Sequence, residues 1–339
     1  MIDVVLLGCQ HIPHARSYAG ALTRSSAARL VGVYDESSDL GESLADEFGV
    51  PYYPDAVQVL DRAEAAVVCS PTDRHRGLVE LAASHGVHVL CEKPLATSVA
   101  DAETMVRACR EAEVQLHTAF VCRFYPSLLQ ARQLVAKGEL GRVRGMVGGN
   151  RGVPPVPPRY PSWITEAASA GGGALIDHSV HVIDAMRFVT GLEASEVLAE
   201  TATLFVDTEV EDSALVSVVF DGDVPASVDP SWSVTEENPW EYDFYLRLLG
   251  TEGSLAIATG RESLPISGRY GTRTLTHLPF EPDIDQDMVE AFLRSVAAGH
   301  VLDPCANGED GLRAVEVACA AYASVEQKQF VPTRAVDRG

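Results

Sequence analysis

The chain has little positive charge: 26 Lys and Arg face 48 Asp and Glu, a net charge of −22 with His neutral. That balance argues against a nucleic-acid partner, which needs a basic footprint, and against an anionic membrane surface. No apolar run reaches membrane-spanning length. The N-terminal Met1-Ile2-Asp3-Val4 enters a strand at once and shows no basic n-region. A cytoplasmic protein is therefore expected. The seven cysteines (Cys9, Cys69, Cys91, Cys109, Cys122, Cys305 and Cys319) are odd in number and form no C-x-x-C. They read as small buried hydrophobes, with neither a disulfide framework nor a metal cluster. Internal repeats are absent, and the proline-rich Val153–Pro158 is too short for a domain linker.

What is present fits a globular protein. The 339 residues exceed one average core, so two domains are expected. The first third alternates apolar strands with helices. Val4–Gly8, Leu30–Asp35, Ala65–Ser70, Val87–Cys91 and Val114–Phe120 read as strands. His14–Leu22, Ser38–Phe48, His75–Ser84 and Val99–Glu113 read as helices. Continuous apolar strands separated by helices make a parallel sheet covered on both faces.

The rhythm changes near Phe120. Ser127–Lys137 is helical, Arg142–Gly148 is a strand, and a Pro- and Gly-rich loop spans Arg151–Pro161. A helix follows from about Gly173 to Thr190. Five strands then succeed one another: Glu196–Val206, Ser213–Phe220, Ala226–Val234, Tyr242–Gly250 and Ser254–Ala258. Two helices, Asp287–Ala298 and Glu309–Ser324, close the chain. The predicted architecture is α/β plus α+β. A Rossmann-type parallel sheet occupies residues 1–121, and a substrate-binding domain with a mostly antiparallel sheet occupies residues 122–339.

The nucleotide end is only partly written. A dinucleotide turn normally reads G-x-G-x-x-G, so that backbone N–H groups meet the pyrophosphate. Here it reads Gly8-Cys9-Gln10-His11-Ile12-Pro13 and keeps only the first glycine. Pro13 suits a first helical turn. The Gln10 side chain either bonds the phosphate or weakens its approach. Asp35 ends the second strand, where a carboxylate takes the ribose hydroxyls of NAD and repels the 2′-phosphate of NADP. It reads alternatively as the acid opening the next helix.

Lys93 follows a buried strand, so topology places it at the ligand crevice, unless it is merely a surface lysine. Downstream, Gly171-Gly172-Gly173 opens a helix carrying Asp177 and His181, four apart and so on one face. An imidazole beside a carboxylate suits general-base work. The bland alternative is a capped helix with two satisfied polar groups, and a zinc site lacks further ligands. The glycines read as room for a ligand to approach the backbone. Arg151, Tyr160, Trp163 and Trp232 are candidates to line a polyol site, though Trp and Tyr also serve as core.

Ser70-Pro71-Thr72 through His75, Cys91-Glu92-Lys93-Pro94, and Gly172-Gly173-Ala174-Leu175-Ile176-Asp177 with His181 and Asp184 together resemble the glucose–fructose oxidoreductase and inositol dehydrogenase (Gfo/Idh/MocA) family. Arg123-Phe124-Tyr125-Pro126 and Gly138-Glu139-Leu140-Gly141 follow the same order. The resemblance implies reversible, NAD-dependent oxidation of a secondary alcohol on a sugar, sugar derivative or cyclitol. Lys93 and His181 would act on the hydroxyl, with Asp177 positioning substrate or histidine. Gly8, Gln10, His11, Ile12, Asp35, Ser70, Pro71, Thr72, His75, Glu92, Lys93 and Arg123 would lie near NAD. Arg151, Tyr160 and Trp163 would join Lys93, Asp177 and His181 at the substrate. It also implies a large open sheet whose free face makes a homodimer or homotetramer. Thr72 replaces the family's usual asparagine. Two other functions remain open: an NAD-recycling hydrolase or lyase working by transient oxidation, and a non-catalytic binding protein.

Overall fold

The computed structural model describes residues 1–238, 242–258, 263–266, 276–279 and 282–334. The first sheet takes its strands from the apolar runs. β1 (Ile2–Leu7), β2 (Ala28–Tyr34), β3 (Tyr52–Tyr53), β4 (Ala65–Val68), β5 (His88–Cys91) and β6 (Leu116–Thr118) pair in parallel, in the order β6-β5-β4-β1-β2-β3. β4 is buried at every residue, as a strand covered on both faces must be. α1 (Ile12–Arg24), α2 (Ser38–Phe48), α3 (Ala56–Leu60), α4 (Thr72–Ser84) and α5 (Val99–Glu111) cover it. In α2, Leu40, Leu44 and Phe48 meet one core, and Gly49 ends the helix at φ +67°. Strand order reverses between β1 and β4, the place where α/β sheets bind ligands.

Two helix starts differ from expectation. α1 begins at Ile12 and takes Pro13 into its first turn, and α4 begins at Thr72 with Asp73 in its first turn. An acidic first turn complements the helix dipole, so α4 starts three residues before His75.

α6 (Pro126–Ala136) leads to β7 (Val143–Gly152). This strand runs four residues beyond its expected end, so Arg151 lies in a strand and not in the following loop. α7 (Ala167–Ala170) and the triple glycine precede α8 (Ala174–Thr190). β8 (Ala194–Ala202), β9 (Ser213–Phe220), β10 (Val224–Ser231), β11 (Tyr242–Gly250) and β12 (Ser254–Ala258) complete the second sheet, ordered β12-β11-β7-β10-β9-β8. Only β7 and β10 pair in parallel there. One face packs against α8: Gly148 touches Val182 and Met186. The other face shows Val147, Leu215 and Leu249, each between 41% and 56% exposed. β13 (Ser263–Ile266) and β14 (Thr276–Pro279) form a separate ribbon.

The division at residue 121 is not clean. α9 (Ile284–Ala298) packs on α1 and joins the core of the first domain through Met288, Val289 and Phe292. β15 (Ala306–Asn307) extends the first sheet, antiparallel to β6. α10 (Gly308–Gln327) bridges both cores, with Leu312 and Val315 on one side and Val317 and Ala321 on the other. β16 (Val331–Pro332) edges the second sheet against β8. These apolar faces cannot be assigned from sequence, because a helix stripe shows no preference between two equally apolar partners.

Candidate active site

A cavity of about 220 Å³ lies between the two sheets, and Lys93, Asp177, His178, His181, Trp232 and His11 line it. The end of β5 delivers Lys93, α8 delivers Asp177, His178 and His181, Trp232 follows β10, and His11 comes from the turn after β1. Lys93 Nζ lies 2.6 Å from Asp177 Oδ1 and 3.3 Å from the Asp177 carbonyl. Burial opposes the Lys93 charge, but Asp177 and then Glu92 outweigh it, so its pKa is raised. Burial likewise opposes Asp177, and Lys93 with His178 holds its carboxyl well below the usual range. Asp177 Oδ2 accepts the Trp232 indole N–H at 3.1 Å and faces His178 Nε2 at 3.2 Å.

His181 is also buried. Its Nδ1 lies 3.7 Å from Cys122 Sγ, and its ring stands edge-on to Phe120. Burial, then the Lys93 charge, keeps His181 neutral by pushing its pKa far down. Burial pushes the Cys122 thiol up to about 12. The site thus offers a cation, a fully engaged carboxylate and a neutral imidazole.

At the turn after β1, Gly8 has φ +76°, and a Cβ there would come within 2.6 Å of Ser70 Cβ. This position needs glycine. The α1 N-terminus has no side-chain cap. His11 Nδ1 is buried with no hydrogen-bond partner among the described residues, and its ring stacks on His14 at 3.9 Å. An uncapped helix end and an orphaned imidazole nitrogen fit an anionic group such as a dinucleotide pyrophosphate. The Gln10 carbonyl accepts the Trp163 indole N–H at 3.2 Å, which ties this turn to the second domain. His11, Thr72, Lys93, Pro94 and Trp163 border a narrower space of about 20 Å³. The His14 ring meets Glu92 at 2.8 Å. Burial disfavours both charges, but their attraction prevails, raising the His14 pKa and lowering that of Glu92.

Other expected residues stand elsewhere or are already engaged. Asp35 is 1% exposed, and its carboxylate accepts the Cys9 and Ser37 N–H groups, each at 2.7 Å. Oδ2 also accepts the Cys9 thiol at 3.3 Å, so the further acceptor position for a ribose hydroxyl lies on Oδ1. Ser70 contacts Gly8, and its hydroxyl bonds the Pro71 carbonyl. The His75 ring nitrogens face the carbonyls of Ser70, Pro94 and Leu95, so it braces the loop holding Lys93. Arg123 is set between Asp184 (2.6 Å), Asp310 (3.2 Å) and the Cys305 carbonyl (3.2 Å), a buried link among three elements rather than a free cofactor ligand. Arg151 pairs with Asp243 on the outer face of the second sheet, beside Tyr245. Strand side chains alternate faces, so Asn150 lines the cavity and Arg151 does not. Tyr160 lines the cavity, and Trp163 borders the smaller space.

The triple glycine serves a different purpose from the one expected. Cβ atoms on Gly172 and Gly173 would each come within 1.9 Å of Tyr322 Oη and the Glu211 carbonyl respectively. Protein atoms make a close approach at both positions, while Gly172 also borders the smaller space beside Lys93. Glu211 Oε1 accepts the Gly173 and Leu175 N–H groups at 3.0 Å and the Tyr322 hydroxyl at 2.7 Å, which seats the start of α8. Sequence reading also missed His178, Asn150, Tyr242 and the His14–Glu92 pair. His178 adjoins Asp177, but adjacent helical residues do not share a face, so spacing gave it no weight.

Among the described residues, no group of three or more His, Cys, Asp and Glu side chains is arranged to hold a metal ion, and no helix is long and apolar enough to cross a membrane.

Comparison with known proteins agrees with this geometry. Residues 2–120 match the oxidoreductase family with an NAD-binding Rossmann fold, and residues 128–256 match the Gfo/Idh/MocA C-terminal domain. The chain is 28% identical to a myo-inositol 2-dehydrogenase of Thermotoga maritima, over 97% of each chain. It is 30% identical to a 1,5-anhydro-D-fructose reductase of Ensifer adhaerens, over 91% of each. A solved putative myo-inositol dehydrogenase of Sinorhizobium meliloti superposes with a TM-score of 0.82 at 26% identity, covering 98% of this chain and 100% of that one. With its parallel sheet, its lysine after β5 and its Asp–His helix, the chain belongs to the Gfo/Idh/MocA family of oxidoreductases with an NAD-binding Rossmann domain.

Proposed function

We infer that the protein is an NAD-dependent dehydrogenase of a secondary alcohol on a sugar, sugar derivative or cyclitol. The observation that carries this reading is the Lys93–Asp177 pair beside neutral His181 in one cavity. Lys93 has three N–H donors. Two go to Asp177. The third is left for a substrate oxygen, where negative charge develops as the alcohol is oxidised. His181 is deprotonated and accepts the hydroxyl proton. Bound NAD supplies the hydride acceptor. Gly8, the α1 N-terminus and His11 would hold its phosphates, and Asp35 its ribose.

The wall suits an uncharged ring. Tyr160, Tyr242 and Trp232 offer aromatic faces, and Asn150 offers an amide. Arg151, the basic residue expected there, turns away to Asp243. The relatives named for inositol and anhydro-fructose act on such molecules. The exposed Val147, Leu215 and Leu249 on the free sheet face support a homodimer or homotetramer.

The test is a panel of cyclitols and aldoses incubated with NAD and the purified protein. Net NADH formation supports the dehydrogenase. Product without net NADH favours transient oxidation followed by elimination or hydrolysis. Absence of calorimetric NAD binding at millimolar cofactor favours a non-catalytic binding protein.

A further inference from the structure

His178 is a second imidazole at the reacting end of the cavity, and the mechanism above gives it no task. It is 4% exposed. Its Nδ1 lies 2.9 Å from the Asn150 carbonyl on β7, and its Nε2 lies 3.2 Å from Asp177 Oδ2. The ring also lies against the Ser231 carbonyl on β10. Carbonyl and carboxylate oxygens only accept hydrogen bonds, whereas a neutral imidazole has one N–H and one lone pair. Neutral His178 would therefore set a lone pair against an acceptor on one side. The cation satisfies both sides.

We propose that His178 is a positioning residue that works as an imidazolium, donating Nδ1–H to the Asn150 carbonyl and Nε2–H to Asp177. The proposal rests on the dehydrogenase reading for its consequence, but not for its geometry. Asp177 Oδ2 then receives two donors, His178 and Trp232, while Oδ1 receives Lys93. A carboxylate bound this way is fixed in one orientation and is not a base. It aims the Lys93 ammonium, and His181 alone accepts the substrate proton.

The groups facing His178 are Asp177 and His181 on its own helix, Lys93 from the loop after β5, and Tyr242 on β11, whose ring stands edge-on at 6.1 Å. Burial is the largest influence and, with Lys93, lowers the His178 pKa from its ordinary value against the pull of Asp177 and the two carbonyls; the proposal stands on the hydrogen-bond geometry, in which both ring nitrogens face acceptors. His75 offers a contrast. Its ring too is surrounded by acceptors, but all are neutral carbonyls. Of the two, His178 faces a carboxylate and His75 does not, and charge-assisted hydrogen bonds are about twice as strong as neutral ones.

The expected sign follows. As pH rises and His178 loses its proton, a lone pair faces Asp177 or Asn150, Lys93 loses its fixed partner, and turnover falls. The experiment is nitrogen-15 NMR of histidine-labelled full-length protein, with His178 assigned by its loss in H178Q. The expected wild-type spectrum shows both His178 ring nitrogens protonated at neutral pH. On the polyol that the panel identifies, kcat should decline on the alkaline side with the same midpoint as that signal. H178Q, whose amide keeps a donor toward Asp177 at every pH, should lose that decline. H178F, which removes the donor, should lower kcat by about tenfold or more with NAD affinity unchanged by calorimetry. A neutral His178 ring at pH 7 overturns the proposal, as does an H178F protein with the wild-type kcat and pH profile. If no polyol is oxidised, the dehydrogenase reading fails, while the NMR spectrum still decides the state of His178.

Discussion

Lys93 Nζ and Asp177 Oδ1 stand 2.6 Å apart and come from different domains. The loop after β5 supplies the amine and the first turns of α8 supply the carboxylate. The contact therefore reports at once on domain docking and on the readiness of the site.

Removing the amine should disturb both roles. K93A should lower kcat by about a hundredfold or more, the scale seen when a group stabilising developing charge is lost. NAD binding by calorimetry should change little. An unfolding midpoint lowered together with lost turnover is expected, because the buried Asp177 carboxylate loses its Lys93 partner.

The pair also sets a pH window for stability. Asp177 has its folded pKa depressed below 3.8, so its contribution is full above that value and is lost as pH falls through the lower folded value. Lys93 has its folded pKa raised above 10.5, so its contribution is full below that value and is lost as pH rises further. Urea unfolding from pH 3 to pH 11 should show the D177N variant losing stability relative to wild type mainly inside that window. An equal deficit at every pH would contradict this.

Arg123 should behave as a structural cation. Its three partners, Asp184, Asp310 and the Cys305 carbonyl, join α8, α10 and the segment before β15. R123M removes the nearer cation from the buried Asp184 carboxylate and leaves it Arg187 at 4.0 Å, so denaturant unfolding should show a loss of about 3 kcal/mol. NAD affinity, measured on the folded fraction, should stay within about twofold. A selective loss of NAD affinity would return Arg123 to the cofactor site.

Gly172 should tolerate no side chain. Its φ is +153°, and an added Cβ would meet the Tyr322 hydroxyl at 1.9 Å. G172A should destabilise by about 1–3 kcal/mol through overpacking. Y322F, which removes the obstructing oxygen, should recover part of that loss in the double variant.

Trp163 should report cofactor entry. Its indole donates to the Gln10 carbonyl beside His11, at the turn where the phosphates would sit. Its fluorescence should change on titration with NAD, and the signal should vanish in W163F. An unchanged spectrum at saturating NAD would place the cofactor away from this turn.

Much of this was legible in the chain itself. Buried runs such as Ala65–Val68 can be nothing but covered strands, and Lys93 at the end of β5 falls at the crevice by topology alone. The i, i+4 spacing put Asp177 and His181 on one face of α8 because local periodicity determines it. These features depend on neighbours within a few residues.

Tertiary structure decided the rest, because it depends on contacts between distant segments. Arg151 moved from the site to the outer sheet face because β7 continued further and its alternation reversed the side chain's direction. Arg123 became a buried link because Asp184 and Asp310 arrive from helices 61 and 187 residues away. The triple glycine proved to admit Glu211 and Tyr322 at the start of α8. His178 gained its importance from the Asn150 carbonyl of a strand it packs beneath, a partner that no pattern along the helix announces. The sequence by itself determined most of the elements and which residues were candidates for the reactive groups. Which oxygen faces which nitrogen was settled only when two sheets and α8 closed on one another, since hydrogen-bond geometry is fixed by packing across the chain and not along it.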